Sequence, residues 1–231
     1  MKFEHVDRLL LAHRVLAEQG HDELHFGHLS AIDRENGVMW IKRGDIGFAG
    51  VTKKDLTAVD LNGEQVAGEG PLHTELWLHL SIYAARPDVQ AIAHSHAPRV
   101  VAFSAVEPTW PIIDQYSAEL SNGLCWYERS GLIISRDLGE NLATAVGSGR
   151  TCILRSHGLV VADTTIEGAV VGTVQFGRSI EIQLMARQLG TVREMDPADS
   201  GPMRARFTER HEGRVRNMWG TMVGAKRDAK K

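Results

Sequence analysis

Three histidines of this chain have the type and the spacing to hold a metal ion. His94 and His96 follow an apolar run at 89–93 that predicts a short β-strand. Because alternate side chains of an extended strand project the same way, both imidazoles reach one point. His157 lies in a glycine-containing turn between two further apolar runs. Three imidazoles with an open fourth position are typical of a catalytic site, but spacing alone leaves open that these histidines are exposed or hydrogen-bonded.

A glutamate upstream of these histidines is the candidate acid/base. Apolar periodicity predicts a helix over 74–85, which ends before Pro87. Glu75 and His79 are four residues apart and therefore share one face of that helix. A carboxylate beside a divalent cation has a shifted pKa and can carry a proton, whereas an exposed residue in the first helical turn is the alternative. His79 either orients the glutamate or a metal ligand, or packs in the core as a helix-face residue.

The elements that position these residues predict one domain of mixed helices and strands. An amphipathic helix is predicted over 4–19, and the pairs Asn36-Gly37 and Asn62-Gly63 predict the turns of two hairpins. A long helix is predicted to end near Gly190, and residues 100–136 give no clear pattern. The strands therefore occur in hairpins more than in βαβ order.

The end of the chain is predicted to lie outside the catalytic core. Proline and glycine residues in 191–203 predict a linker, and 204–224 are predicted to form a final helix. We therefore divide the chain into a catalytic domain at 1–195 and a linker with a C-terminal helix and tail at 196–231.

Charge and hydropathy exclude several function classes. A formal net charge of −3 gives no drive toward nucleic acid or an anionic membrane, and no apolar run is long enough to cross a bilayer. Charged residues interrupt the first segment, which does not resemble a signal peptide. Cys125 and Cys152 make no disulfide framework, and we expect both to be reduced. These features predict a cytoplasmic protein that binds neither nucleic acid nor membranes.

An ordered set of motifs resembles the class II aldolase/adducin family. The motifs are Gly27-His28-Leu29-Ser30, the VDLNGE hairpin, Glu75 with His79, His94-Ser95-His96-Ala97-Pro98, and Arg155-Ser156-His157-Gly158. The resemblance covers residues 5–190. It implies an α/β fold of three α/β/α layers with a mostly antiparallel central sheet. It also implies a homotetramer with active sites at the subunit interfaces.

The same resemblance assigns roles to individual residues. His94, His96 and His157 match the metal ligands of the family, and Glu75 matches its catalytic acid/base. One divalent metal per chain is implied, zinc first, with manganese, iron or cobalt as alternatives. Adducin-type domains lack the metal histidines, so the presence of all three here argues against a purely structural role.

Neighbouring positions depart from the sugar-phosphate members of the family. His28 stands where those aldolases place an asparagine, Arg43 lies in the loop where they carry a Thr-Gly pair, and His73-Thr74 replaces two serines. Arg43 can hold a carboxylate through two parallel hydrogen bonds. We therefore expect His28, Arg43, His73 and Thr74 to bind a small molecule that is carboxylated and not phosphorylated. This pattern is closer to the decarboxylase-like branch of the family.

Taken together, these residues predict a divalent-metal-dependent carbon–carbon lyase. An aldolase and a decarboxylase both collect the electrons of the broken bond as an enolate that a metal stabilises, while Glu75 moves the proton. The sequence does not choose between the two reactions. The alternatives are a metal-dependent hydrolase, in which Glu75 activates a water, and a non-catalytic adducin-type interaction domain.

Overall fold

A single twisted sheet forms the middle layer of the fold. The computed structural model describes residues 4–106 and 108–228. Its strands are β1 His28–Asp33, β2 Val38–Lys42, β3 Leu56–Asp60, β4 Gln65–Ala67, β5 Ala91–Ser95, β6 Leu124–Tyr127, β7 Thr151–Leu154 and β8 Gly158–Asp163. They are ordered β4-β3-β2-β1-β5-β8-β7-β6, and each neighbouring pair is antiparallel except β6 with β7. The predicted mostly antiparallel sheet is confirmed.

Helices cover both faces of this sheet. They are α1 Val6–Leu16, α2 Leu76–Ala85, α3 Pro98–Ser104, α4 Gln115–Leu120, α5 Arg136–Val146, α6 Ile166–Leu189, α7 Pro197–Glu209 and α8 His211–Asp228. α1 and α6 bury their apolar sides on one face, and α2 and α5 pack on the other. The predicted three-layer α/β/α arrangement is confirmed. Within the described ranges, no helix combines the length and the apolar character that crossing a membrane requires.

Strand alternation decides which layer each side chain enters. In β5, Ala91 and Ala93 pack in the core under α1 and α6, whereas Ile92 packs under α2 and α5. All three are fully buried, as expected for a central strand that helices cover on both faces. The chemistry-bearing residues at the end of β5 inherit this alternation.

Both predicted hairpins are present. The turn between β1 and β2 places Gly37 at φ 65°, and the turn between β3 and β4 places Gly63 at φ 92°. Both angles lie in the left-handed region that glycine adopts without steric cost. Asp33 and Asp60, at the ends of their strands, accept hydrogen bonds from backbone N–H groups of the turns.

The predicted linker at 191–203 and the single helix at 204–224 are wrong in their bounds. The side chain of Asp196 accepts a hydrogen bond from Ala198 N at 2.8 Å, and Pro197 occupies the first turn of α7. Proline at this position is compatible with a helix start, because the N–H that it lacks would have no partner there. The helical segment then breaks at Arg210, and α8 follows. The domain boundary at 195 stays a prediction.

Candidate metal centre and active site

The end of strand β5 delivers two histidines to the layer of α2. His94 continues the alternation of Ile92 and therefore faces α2 and α5, and His96 follows it two residues later. Ser95 lies between them and faces α1 and α6. The antiparallel pairing of β1 with β5 sets His28 directly opposite His94.

Four side chains form a compact group of donor atoms at this point. One donor atom from each of Glu75, His94, His96 and His157 lies within 4.8 Å of the other three. His94 Nε2 and His96 Nε2 are 2.6 Å apart. His157 enters from the turn between β7 and β8, and its ring centroid lies 5.0 Å from that of His94 and 4.9 Å from that of His96. The structure thus brings together the three predicted ligands and the predicted acid/base.

The protonation of these rings fits a cation and not a closed hydrogen-bond network. His94 Nδ1 donates to the carbonyl of Leu159 at 2.9 Å, which leaves a lone pair on Nε2. Among the described residues, neither of the two buried ring nitrogens of His157 has a hydrogen-bond partner. Burial holds the pKa of His94 well below its ordinary value and lowers that of His96 to about 4, so both are neutral. Neutral imidazole nitrogens that converge in a buried site suit a divalent metal such as zinc.

Glu75 lies beside this group with its carboxylate ordered by the backbone. Its Oε1 accepts a hydrogen bond from Ile133 N at 2.8 Å, and its Oε2 lies 3.4 Å from His157 Nε2 and 3.7 Å from His94 Nε2. Burial opposes ionisation of the carboxyl, but the adjacent His157 ring and the Ile133 N–H outweigh it and lower the pKa of Glu75 below its ordinary value. Glu75 immediately precedes the first residue of α2, so the helix begins later than predicted.

A chain of buried polar groups extends from Glu75 to the interior of the sheet. His28 Nε2 lies 4.0 Å from Glu75 Oε2, and His28 Nδ1 is hydrogen-bonded to His79 Nε2 at 2.6 Å. His79 Nδ1 is in turn 2.7 Å from Ser30 Oγ, which is 2.8 Å from the hydroxyl of Tyr83. All of these side chains are buried. Ser30, His79 and Tyr83 therefore influence the site only through the hydrogen bonds that connect them to His28.

Lys42 is a polar residue near the site that sequence reasoning missed. Its fully buried Nζ donates to His25 O at 3.0 Å, to Ile46 O and to His73 Nε2 at 3.0 Å. Burial, opposed by nearby carboxylates, lowers the pKa of Lys42 to about 8. The ring centroid of His73 lies 4.5 Å from that of His28, with the two planes tilted by 51°. The signal in the sequence was the position of Lys42 at the end of the apolar strand Val-Met-Trp-Ile. A lysine that directly continues a buried strand indicates a buried role for its ammonium group.

The other two residues predicted to bind substrate are Arg43 and Thr74. Arg43, next to Lys42, donates through two guanidinium nitrogens to the side chain of Asp45 and makes no described contact with the donor group. Thr74 is exposed. The predicted roles of Arg43 and Thr74 stay predictions. The sequence also did not predict the hydrogen bond from the Ile133 N–H to Glu75. No pattern of side chains indicates where a backbone donor of a distant loop will lie.

Comparison with known proteins assigns the chain to a family. Residues 7–184 match the family described as Class II Aldolase and Adducin N-terminal domain. The chain belongs to this family. The family predicted from the sequence motifs is thereby confirmed.

Individual relatives show where in the family the similarity lies. The chain is 30% identical to 3,4-dihydroxyphthalate decarboxylase of Arthrobacter keyseri over 235 residues, with 92% of this chain and 94% of that protein covered. It is 28% identical to Decarboxylase NovR of Streptomyces niveus, with 92% and 77% covered. A solved L-fuculose 1-phosphate aldolase from Glaciozyma antarctica PI12 superposes with a TM-score of 0.82 at 25% identity, covering 99% of this chain and 95% of that chain. The predicted resemblance to the decarboxylase-like branch is confirmed.

Proposed function

We propose that this protein is a divalent-metal-dependent lyase that decarboxylates a hydroxylated aromatic carboxylate. The observation that carries the proposal is the convergent group of three imidazoles, buried or half-buried, with the Glu75 carboxylate beside it. Family membership and the similarity to two decarboxylases support a lyase-type reaction. In this proposal His94, His96 and His157 hold one metal ion per chain, zinc before manganese, iron or cobalt.

A metal bound there would act as a Lewis acid toward oxygen atoms of the substrate. The residues of the chain would do the proton work. Glu75 is ionised in the free protein, so its first role is that of a base, which takes the proton of a substrate hydroxyl. As the carbon–carboxylate bond breaks, its electron pair stays on the ring carbon and carbon dioxide leaves. Glu75 then returns its proton to that carbon, and water reprotonates the oxygen.

The surroundings of the donor group favour a carboxylated substrate. His28 and His73 lie beside the donor group, at positions where small hydroxyl residues would suit a phosphate. The Lys42 ammonium is hydrogen-bonded to His73 at 3.0 Å. All three donors of Lys42 are used by protein groups, so Lys42 does not hydrogen-bond the substrate itself. Its positive charge lies next to His73 and favours an anionic substrate by electrostatic attraction alone.

The test is turnover of 3,4-dihydroxyphthalate by the zinc- or manganese-loaded protein in deuterated water. The proposal expects release of carbon dioxide and one deuterium at the ring carbon that lost the carboxylate. A panel of other hydroxylated aromatic carboxylates extends the assay, because the pocket, and not the metal, determines which ring substituents a substrate can carry. Turnover of none of these compounds by metal-loaded protein would overturn the proposal.

Aldol cleavage is the second candidate, and the superposition on an aldolase supports it. It uses the same metal and the same proton transfer by Glu75, but an aldehyde leaves in place of carbon dioxide. Supplying L-fuculose 1-phosphate to the same protein separates the two reactions. Hydrolysis without deuterium at carbon would indicate the hydrolase alternative, and protein that binds no metal would indicate an adducin-type domain.

Two further features belong to the proposal. A homotetramer with active sites between subunits, and a cytoplasmic location, follow from the family resemblance. Light scattering of the purified full chain tests the first, and fractionation of the source cells tests the second.

A further inference from the structure

We propose that the buried chain Tyr83–Ser30–His79 fixes His28 as a hydrogen-bond donor that faces the metal centre and binds an anionic oxygen of the substrate. The identity of that ligand rests on the proposed function, whereas the tautomer of His28 does not. The chain consists of three consecutive short contacts, of 2.8, 2.7 and 2.6 Å, among side chains that are all buried.

The direction of the chain is set at its far end. Burial raises the pKa of Tyr83 well above its ordinary value, so the phenol keeps its proton. In the described part of the protein, Ser30 Oγ is the one acceptor found for that proton, at 2.8 Å. A buried hydroxyl proton without an acceptor carries a desolvation cost, so Tyr83 donates to Ser30.

Each following contact then has one possible donor. Ser30 Oγ accepts from Tyr83, and its own proton is directed to His79 Nδ1. A neutral imidazole carries one N–H, so the proton of His79 resides on Nε2 and is donated to His28 Nδ1. The proton of His28 is therefore on Nε2, which lies 4.0 Å from the ionised Glu75 carboxylate. That negative charge favours the same tautomer.

His94 shows the opposite arrangement only one strand away. Its ring centroid lies 4.7 Å from that of His28, and the two residues are register partners in the sheet. His94 Nδ1 faces the carbonyl of Leu159, which can only accept, so Nε2 keeps a lone pair and can bind a metal. His28 Nδ1 faces a donor, so its Nε2 presents an N–H. Two adjacent histidines thus become a ligand and a donor because of what touches their Nδ1 atoms.

An N–H beside a metal centre has a definite use. It repels a cation and attracts a carboxylate or an oxygen anion of a molecule bound to the centre. His28 is not among the four residues whose donor atoms converge on the candidate ion site. Ser30, His79 and Tyr83 act only through His28 and are positioning residues.

Nitrogen NMR tests the tautomers directly. The full chain is labelled with ¹⁵N-histidine and loaded with zinc, and two-bond ¹H–¹⁵N correlations identify the protonated nitrogen of each ring. Signals of His28 and His79 are assigned with H28Q and H79Q. We expect protonated Nε2 in His28 and His79 and protonated Nδ1 in His94. A proton on Nδ1 of His28 would overturn the proposal.

Tyr83→Phe tests what sets the direction, because it removes one hydroxyl and keeps the ring in the core. We expect a mixture of His28 tautomers in this variant, while His94 keeps its proton on Nδ1 as an internal control. If the variant does not fold, Ser30→Ala removes the same link at a smaller side chain. A His28 ring that stays uniformly protonated on Nε2 in a folded variant would show that the chain does not control it.

The ligand is tested with 3,4-dihydroxybenzoate, a carboxylated catechol, added to zinc-loaded protein. His28→Gln keeps an N–H donor, whereas His28→Leu has a similar volume and no donor. Loss of a hydrogen bond to a charged group predicts affinity lower by about tenfold to hundredfold in H28L, with H28Q much closer to wild type. Equal losses in the two variants at equal zinc content would overturn the donor role. Correct tautomers without any turnover would leave this assignment standing and remove only the proposed function.

Discussion

The two faces of strand β5 carry two buried polar groups of different chemistry. On the α2 side, His94 and His96 direct Nε2 atoms at each other, 2.6 Å apart. On the α1 side, Ser95 Oγ is hydrogen-bonded by His21 Nδ1 at 2.8 Å, and His21 Nε2 accepts from Arg99 at 3.2 Å. In the second group both ring nitrogens of the histidine have partners within the protein.

The difference lies in the partners and not in burial or residue type. His21 and His94 are both buried, and burial lowers the pKa of both. His21 uses both ring nitrogens on protein groups and ties the segment that follows α1 to β5. His94 uses only Nδ1 and leaves Nε2 toward two further imidazoles. A buried histidine whose two ring nitrogens both have protein partners serves the structure. A buried histidine whose free lone pair points toward other imidazoles can bind a metal ion.

Removing a ligand from the first group should have the largest effect. His157→Ala leaves two imidazoles, and we expect the affinity for zinc to fall by more than about hundredfold, since partners of ligands alone contribute 10- to 100-fold. Metal analysis of protein dialysed against a weak chelator measures this. His21→Asn is the control from the other face and should retain its zinc. Full metal content in H157A would contradict the division between the faces.

Glu75→Gln should separate proton transfer from metal binding. The amide keeps the size of the side chain but cannot act as a base, and we expect turnover to fall by about 10²- to 10⁴-fold with metal content unchanged. The assay is the carbon dioxide release described above. Glu64→Gln, at an exposed position in the β3–β4 turn, is the matched control and should retain activity. Wild-type turnover by E75Q would show that another group carries the proton.

His21→Asn should affect stability and its dependence on pH. At about pH 8 we expect the variant to lose about 1–3 kcal/mol, because Ser95 and Arg99 lose a buried partner. Burial and the Arg99 charge lower the pKa of His21 to about 3, against about 6.5 in the unfolded chain. The contribution of neutral His21 is therefore complete above pH 6.5 and is lost as the pH falls toward 3, by about 1.4 kcal/mol per unit.

Urea unfolding at a series of pH values measures this effect. The wild-type protein should lose stability faster than H21N between pH 6.5 and 3, so its advantage of about 1–3 kcal/mol should vanish within about two pH units and then reverse. An advantage that does not change with pH would show that His21 is not the group that titrates. Zinc content, measured in parallel, reports whether the other face of β5 has been disturbed.

The smallest effect is expected at Arg43, next to the buried Lys42. Lys42→Met removes three buried hydrogen bonds, and we expect a lower melting temperature and a higher KM for a carboxylated substrate. Arg43→Ala removes an exposed ion pair with Asp45 and should leave the melting temperature unchanged. A KM that rises more in R43A than in K42M would restore Arg43 to the substrate site.

Local patterns predicted the parts of the site that lie close together in sequence. The alternation of β5 predicted that His94 and His96 share one face, and the four-residue spacing of Glu75 and His79 predicted that these two residues face the same side of their helix. The bounds were less accurate, because Asp196-Pro197 begins a helix where glycine and proline content suggested a linker. Helix starts depend on one cap and one permitted proline, which composition does not reveal.

The sequence by itself determined the family, the three imidazoles, the glutamate and the hairpins, because each is expressed in periodicity or in short motifs. The tertiary structure alone decided which hydrogen-bond partner meets each ring nitrogen. Pairing of β1 with β5 brought His28 beside His94, and the packing of α2 on β1 brought His79 and Tyr83 to Ser30. These contacts join residues about fifty positions apart. No local pattern contains them, since they depend on which strands are neighbours and on which face a helix packs.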